Sequence, residues 1–348
     1  MNKYLILQNP GHNRVYYNFA GQLAVSELEI ASKQLDISCE NIEIIEIENI
    51  RYISISCKEE LTTSALDILS RLSFIFAIYK LEKINDKDYL IPISKNKYEY
   101  IDSKISSLLK YSGKTNELFT KMMVNIALHS SNFNFNDKIH LLDPVSGKGT
   151  TLFEGAVYGF DVTGIEIDSK ATQEASLFFK KFLETERYKH STNTRQIYGK
   201  TKSEAIYIQE FEYAINKTDF KSDVLRKKFS VVSGNSQDAS KYFKKQNFHI
   251  IVGDLPYGIA HGNLADKKFA SITRNPSELL NLCLPEWYKV LKPGGVVVVA
   301  WNSFVVSKRK LEEIFNANNF SVFTNSPYNN FEHFVDKSIK RDIIVAKK

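Results

Sequence analysis

The stretch "LLDPVSGKGTTLFEG", Leu141 to Gly155, decides how the chain is read. An apolar run ends in Asp-Pro, a loop of small residues follows, and a helix begins. Its GKGT segment invites a phosphate-binding reading, which does not survive inspection. A nucleotide-hydrolysing loop needs G-x-x-x-x-G-K-[ST]. Here Gly149 follows Lys148, and Leu142 stands where the first glycine of the cradle would be. A dinucleotide fingerprint fails as well, because no third glycine follows Gly147-x-Gly149 in register. What is left is a strand, an acid (Asp143), a glycine turn and a helix.

Asp143 argues for a ligand with a positive group rather than a phosphate. S-adenosylmethionine, a sulfonium with a free amino group, fits that demand. Gly147 and Gly149 allow the backbone to approach such a ligand, since no Cβ intrudes. Pro144 and Thr150 belong to the same turn. The next strand, "DVTGIEID", places Glu166 where a carboxylate can accept from both ribose hydroxyls, as an acid does in dinucleotide folds. Ile167 follows it, and Asp168 is the lesser competitor.

Outward from this core the period changes. From about Tyr111 onward, strands and helices alternate, which implies a mainly parallel sheet covered on both faces. "KIHLLDP", "DVTGIEID", "KFSVVSGN", "FHIIVGDLPYG" and "GGVVVVAWN" supply strands. "TNELFTKMMVNIALHS" reads as an amphipathic helix, and the tail from Phe320 as two strands able to close as a hairpin. A polar segment, 184–228, interrupts the alternation and reads as an insertion. The first part, 1–84, reads as a small α+β unit: the strand "KYLILQ", a helix through Leu23, Leu28, Ile30 and Leu35, the period-two run "IEIIEIENIRYISIS", and "LTTSALDILSRLSFIFAIYKL" as one apolar helix. Residues 85–110 form a polar connector, and 111–348 the larger domain.

Composition sets the outer limits. The 348 residues suffice for two domains, and 43% hydrophobic content suits a real core. Cys39, Cys57 and Cys283 form no CxxC pair, which argues against a zinc site or a disulfide framework and fits a reducing cytoplasm. No segment approaches the length of a membrane span, and the N-terminus turns polar too early for a signal peptide. A net charge of +6 permits a polyanionic partner without demanding one.

A second stretch, "IIVGDLPYG", carries the chemistry. An exocyclic amine on a base is a poor nucleophile, because its lone pair is delocalised into the ring. Acceptors set against its N–H groups turn the lone pair outward. Asp254 supplies one from its carboxylate and Leu255 another from its carbonyl. Pro256 fixes its own φ and adds no N–H. Tyr257 offers a flat face for the base, worth on the order of 1–3 kcal/mol. The reaction is then direct methyl transfer by positioning, with no metal.

With "DPVSGKGT", "GIEID", "DLPYG" and "KPGG" in this order, the chain resembles the class I S-adenosylmethionine-dependent methyltransferases. The resemblance implies a Rossmann-like seven-stranded sheet ending in an antiparallel hairpin, with the cofactor across the carboxyl ends of its strands. It also implies an adenine contact within "VVSGNSQDAS", where Asn235 stands in place of the common Asp and Asp238 lies three residues on. D-L-P-Y resembles the (D/N/S)-P-P-(Y/F) motif of amino-group methyltransferases acting on nucleic acid bases. Followed by glycine, it is similar to the motif of THUMP-containing guanosine-N2 tRNA methyltransferases. The N-terminal unit looks like their small ferredoxin-like part, and the helix before Leu141 like the one that closes over the methionine end of the cofactor.

The resemblance implies an RNA partner, tRNA ahead of ribosomal RNA. A base in a folded RNA must be turned out to reach such a pocket. Lys267, Lys268 and Arg274, in the loop after the motif, are the candidate substrate contacts. His261 in the same loop reads as structural. The alternatives are a DNA adenine-N6 methyltransferase, a small-molecule amine methyltransferase and a binding module that keeps the fold.

Overall fold

The computed structural model describes residues 1–9, 14–111, 113–199, 201, 205–257 and 275–348. Its contacts divide the chain into two compact units. The first comprises Met1–Tyr98 with Thr324–Ser338, the second Glu99–Phe323 with Ile339–Lys348.

The first unit contains β1 (Asn2–Gln8), α1 (Arg14–Ser32), β2 (Cys39–Ile47), β3 (Ile50–Cys57), α2 (Thr63–Arg71), β4 (Ile75–Ile84) and β5 (Lys87–Ile93). Its sheet runs β2-β3-β1-β4-β5, antiparallel throughout. Without β5 this is the split βαββαβ arrangement. Tyr4, Ile6, Ile53, Ile55 and Ile78 from the strands pack with Leu28, Ala31, Ala65 and Leu69 from the helices.

Two expectations fail here. The run "LTTSALDILSRLSFIFAIYKL" is a helix followed by a strand. Buried Glu27 of α1 explains the break: its carboxylate accepts from the Ser73 N–H at 3.0 Å and from the Ser73 hydroxyl, which withdraws Ser73 from the helical ladder. Beyond it, the aromatic and β-branched "FIFAIY" suits a pleated surface. The connector expected over 85–110 also contains β5. Asn85 and Asp86, at φ 50° and 60°, turn the chain back in the primed geometry that two-residue hairpins use.

A third correction concerns the cysteines. In the β2–β3 hairpin a register shift between Glu40 and Glu43 sets Cys39 opposite Cys57, and the two are joined as a disulfide. Cys283 is free and buried.

The second unit contains a short helix α3 (Ile105–Leu108), α4 (Glu117–Ser130), β6 (His140–Asp143), α5 (Thr150–Val157), β7 (Asp161–Glu166), α6 (Ser169–Thr185), β8 (Lys189–Tyr198), β9 (Ile206–Ala214), β10 (Lys227–Ser233), α7 (Ala239–Tyr242), β11 (Phe248–Asp254), α8 (Pro276–Val290), β12 (Leu291–Asn302), α9 (Lys308–Ala317) and β13 (Ser321–Val322). After β14 (His333–Phe334), β15 (Lys340–Lys347) completes it. The sheet runs β13-β15-β12-β11-β6-β7-β10-β9-β8. From β12 to β10 neighbouring strands are parallel. Numbered by first appearance, these five follow the doubly wound order 3-2-1-4-5, so the chain direction across the sheet reverses between β6 and β11.

The strand count departs from the expected seven. The polar segment 184–228 extends the sheet with the antiparallel hairpin β8–β9 rather than interrupting it. At the other edge β15 runs antiparallel to both β12 and β13, so the tail closes as a hairpin. The sheet core is apolar on both faces: Leu142, Ile251, Val297 and Val299 on one, and Leu141, Ile250, Val296 and Val298 on the other, are fully buried. Helix α4 departs from its amphipathic reading, since eleven of its residues, Phe119, Thr120 and Met122 through Ser130, are buried.

Candidate active site

Open α/β sheets bind ligands outside the carboxyl ends of their strands, at the point where strand order reverses. Three acids occupy those ends here. Asp143 closes β6, Glu166 closes β7 and Asp254 closes β11, on three neighbouring strands.

The glycine turn is held by the second acid. Glu166 Oε2 accepts from the Gly147 N–H at 2.8 Å, and Oε1 accepts from the Asp168 N–H at 2.9 Å. Gly147 and Gly149 have φ of 50° and 93°, in the left-handed region that only glycine enters cheaply. A Cβ on Gly147 would meet nothing within 4 Å, so the turn presents open backbone. Thr150 starts α5 and shares a 3.1 Å hydrogen bond with the Tyr111 hydroxyl. Lys148, the lysine of the misleading GKGT, pairs with Glu174 at 2.5 Å and lies over the Tyr111 ring.

Asp143 is buried beside this turn. Its Oδ1 accepts from the Val145 N–H at 3.0 Å. Burial pushes its carboxyl up to about 7, opposed by hydrogen bonds from Thr151 and Val145 and reinforced by the charges of Glu166 and Asp254. Burial also raises Glu166, against the pull of the Asp168 and Gly147 N–H groups. Both acids are thus held toward the protonated form by their burial.

The D-L-P-Y segment comes close to the turn. A Cβ built on Gly253 would stand 3.4 Å from Asp143 Oδ1 and 3.1 Å from Val145. The Asp254 carboxylate is held from two sides: the Thr115 hydroxyl donates to Oδ2 and the Tyr257 hydroxyl to Oδ1. Leu255 donates its N–H to the Ala300 carbonyl at 2.9 Å and buries its side chain in the core. Pro256 is exposed and Tyr257 partly buried. Burial, then the Asp254 charge, raises the Tyr257 hydroxyl well above its ordinary value, so it stays a donor.

The remaining expected residues are placed as follows. Ile167 is exposed beside Glu166. Asp168 caps α6 through the Lys170 N–H, which explains an acid there without a ligand. Asn235 accepts from the Gln237 N–H at 3.0 Å, and Asp238 pairs with Lys241 at 2.6 Å. Both follow β10, the strand after the one that carries Glu166. Lys267, Lys268, Arg274 and His261 lie outside the described residues.

Sequence reading missed Thr115, Tyr111 and Arg341. Thr115 precedes Asn116, which caps α4 by accepting from Leu118 and Phe119. That cap is a legible helix start, but nothing local says that the residue before it reaches β11. Arg341, on β15, has its guanidinium 4.7 Å from the Phe119 ring centre and 5.2 Å from that of Tyr257.

Among the described residues no group of three or more His, Cys, Asp or Glu side chains could hold a metal ion, and no helix is long and apolar enough to cross a membrane.

No protein-family model matches the chain, and no curated protein does. Solved structures do match. TrmN from Thermus thermophilus is similar at 11% identity over 100% of this chain and 99% of its own, with a TM-score of 0.45. A 16S rRNA N2 methyltransferase (RsmC) of T. thermophilus, in complex with AdoMet and guanosine, is similar at 15% identity, with 92% of this chain and 60% of that one covered and a TM-score of 0.36. A TehB-like SAM-dependent methyltransferase from Corynebacterium glutamicum is similar at 13% identity over 61% of this chain and 80% of its own, with a TM-score of 0.32. At these identities and scores the likeness does not say what this chain binds or acts on.

Proposed function

We propose that the chain is an S-adenosylmethionine-dependent N-methyltransferase acting on the exocyclic amine of a nucleic acid base, guanine N2 in tRNA or ribosomal RNA. One observation carries the reading: the acceptor Asp254 and the glycine turn share the mouth where strand order reverses, lined by Asp143 and Glu166. A buried, acid-lined site favours a cationic ligand over a phosphate.

The residues present fit the cofactor. Gly147 offers backbone that no side chain covers, and Asp143 offers a carboxylate that gains from a nearby cation. In this reading Asp143 faces the positive methionine end, with Pro144, Gly149 and Thr150 shaping the turn. Glu166 keeps lone pairs for the ribose after binding its two N–H groups. Ile167 packs against the adenine, whose amino group is met by Asn235 or Asp238. When bound, the cofactor supplies an electrophilic methyl group.

The chain's own part is positioning. Asp254 accepts a hydrogen bond from the amine N–H, and the Leu255 carbonyl accepts the second. Together they turn the nitrogen lone pair toward the donor. The nitrogen gains a methyl group and loses a proton. Asp254 keeps capacity for this while Thr115 and Tyr257 hold it, because a carboxylate has about four acceptor positions. Tyr257 gives the base a face; Lys267, Lys268 and Arg274 are the proposed contacts to the RNA, and the first unit is proposed to bind RNA.

The test is transfer of label from the cofactor to bulk tRNA, ribosomal RNA and DNA, followed by digestion to nucleosides. Label in N2-methylguanosine supports the reading. Label in N6-methyladenine of DNA replaces the substrate, and no cofactor binding by calorimetry removes the enzyme.

A further inference from the structure

Arg341 sits where the proposed transfer takes place, yet has no part in it so far. It lies on β15 opposite Asn302 of β12 and is 5% exposed. Its guanidinium lies over two rings, those of fully buried Phe119 and of Tyr257. Its Nη2 stands 4.0 Å from Asp254 Oδ2. That separation is too long for a hydrogen bond, so Arg341 acts on Asp254 through its charge, and on Tyr257 through both the ring and a hydrogen bond to its side chain. A planar, permanently charged head suits both tasks, whereas an ammonium suits only the first.

The charges around Asp254 make this position matter. Among the described residues, Asp143 comes from β6, Tyr111 from the segment ahead of α4, Tyr257 from the same loop and Arg341 from β15. Glu166 stands one strand beyond Asp143, and Glu117 of α4 faces Lys114 at 3.7 Å. The adjoining parts of α4 and β12, with Phe119, Ala300 and Asn302, bring no charge. Among the described residues, Arg341 is the cation within ion-pair reach of the acceptor.

We propose, resting on the methyl-transfer reading, that Arg341 is a positioning residue for the substrate base. Phe119, the guanidinium and the Tyr257 ring form a stack that leaves the base the far face of Tyr257. The same guanidinium stands beside the Asp254 carboxylate and offsets part of its charge. Specificity follows: the face of Tyr257 turned to Arg341 is taken, so the base enters from one side with its amine toward Asp254.

Three full-length proteins test this: wild type, Arg341→Met and Arg341→Lys, each checked for folding by circular dichroism. If Arg341→Met does not fold, Arg341→Gln replaces it. With tRNA as substrate, KM rises about tenfold in both variants, since both lose the planar stack. In Arg341→Lys, kcat stays within about threefold of wild type. An unchanged KM in both variants, or a kcat in Arg341→Lys that falls as far as KM rises, overturns the proposal. Absence of methyl transfer by the wild type overturns the functional reading instead, and the tRNA dissociation constants of the three proteins then decide whether Arg341 positions the base.

Discussion

The Tyr257 hydroxyl donates to Oδ1 of Asp254, three residues earlier, while the Thr115 hydroxyl takes Oδ2. The motif is thus closed on itself and tied to the segment that opens α4. In the proposed reading, an acceptor held on both oxygens is aimed before a base arrives, the preorganisation that transfer by positioning requires.

Removing the acceptor tests that statement directly. Asp254→Ala lowers kcat by about 10²–10³-fold or more, the scale on which a preorganised polar contact acts. Its cofactor dissociation constant, measured by calorimetry, stays within about threefold, because the turn at Gly147 is held by Glu166 instead. A variant that keeps full turnover would take Asp254 out of the reaction.

The turn itself is exposed to substitution at Gly149. Its φ of 93° is strained for any residue with a side chain, and a new Cβ would sit 3.2 Å from the Phe153 ring. Gly149→Ala therefore costs about 1–2 kcal/mol, read as a fall in the urea midpoint at unchanged slope. No change in midpoint would show that the turn has another conformation in solution.

If Asp143 faces the cofactor as proposed, binding depends on pH. Its carboxyl lies at about 7 in the folded chain against roughly 3.9 unfolded. A raised folded value adds stability that is full below about pH 4 and disappears as pH climbs through 7. Buried Glu154, also pushed to about 7, has the same sign. His140 and His249, lowered by burial to about 3 and about 4, oppose it: their stability is present above roughly 6.5 and is lost on acidification. A cationic cofactor prefers ionised Asp143, so its affinity rises from pH 6 to 8, with proton release detectable by calorimetry in two buffers. In Asp143→Asn that rise disappears. A pH-independent affinity in the wild type would separate Asp143 from the cofactor.

The Cys39–Cys57 bond gives a simple chemical prediction. Thiol titration of the denatured chain without reductant finds one reactive group, Cys283. Closing a loop of sequence separation 18 stabilises the folded state by about 3 kcal/mol on chain-entropy grounds, so reductant lowers the first unit's unfolding midpoint. Three reactive thiols at the outset would show the pair reduced.

Local pattern made the mouth of the sheet readable. Asp143, Glu166 and Asp254 each end an apolar run, and an acid at the end of a buried strand stands out against its neighbours. The disulfide was not readable: counting outward from the turn at Glu48-Asn49 sets Cys39 against Lys58, and only the irregularity between Glu40 and Glu43 moves it to Cys57. Strand β4 hid behind α2, because the boundary is drawn by Glu27, which lies 46 residues from Ser73. Arg341 and Thr115 left no mark, since a contact between distant elements has no periodicity of its own.

The piece 324–338, grouped with the first unit although both its flanks belong to the second, has a practical consequence. Cutting the chain after Tyr98 does not release a whole module, because Lys33 of α1 loses the ring of Tyr328 beneath it. The larger fragment would carry that orphaned strip, including the fully buried Phe331, as freshly wetted apolar surface. Any truncation meant to separate RNA affinity from cofactor affinity must therefore replace 324–338 with a short polar link in the same design.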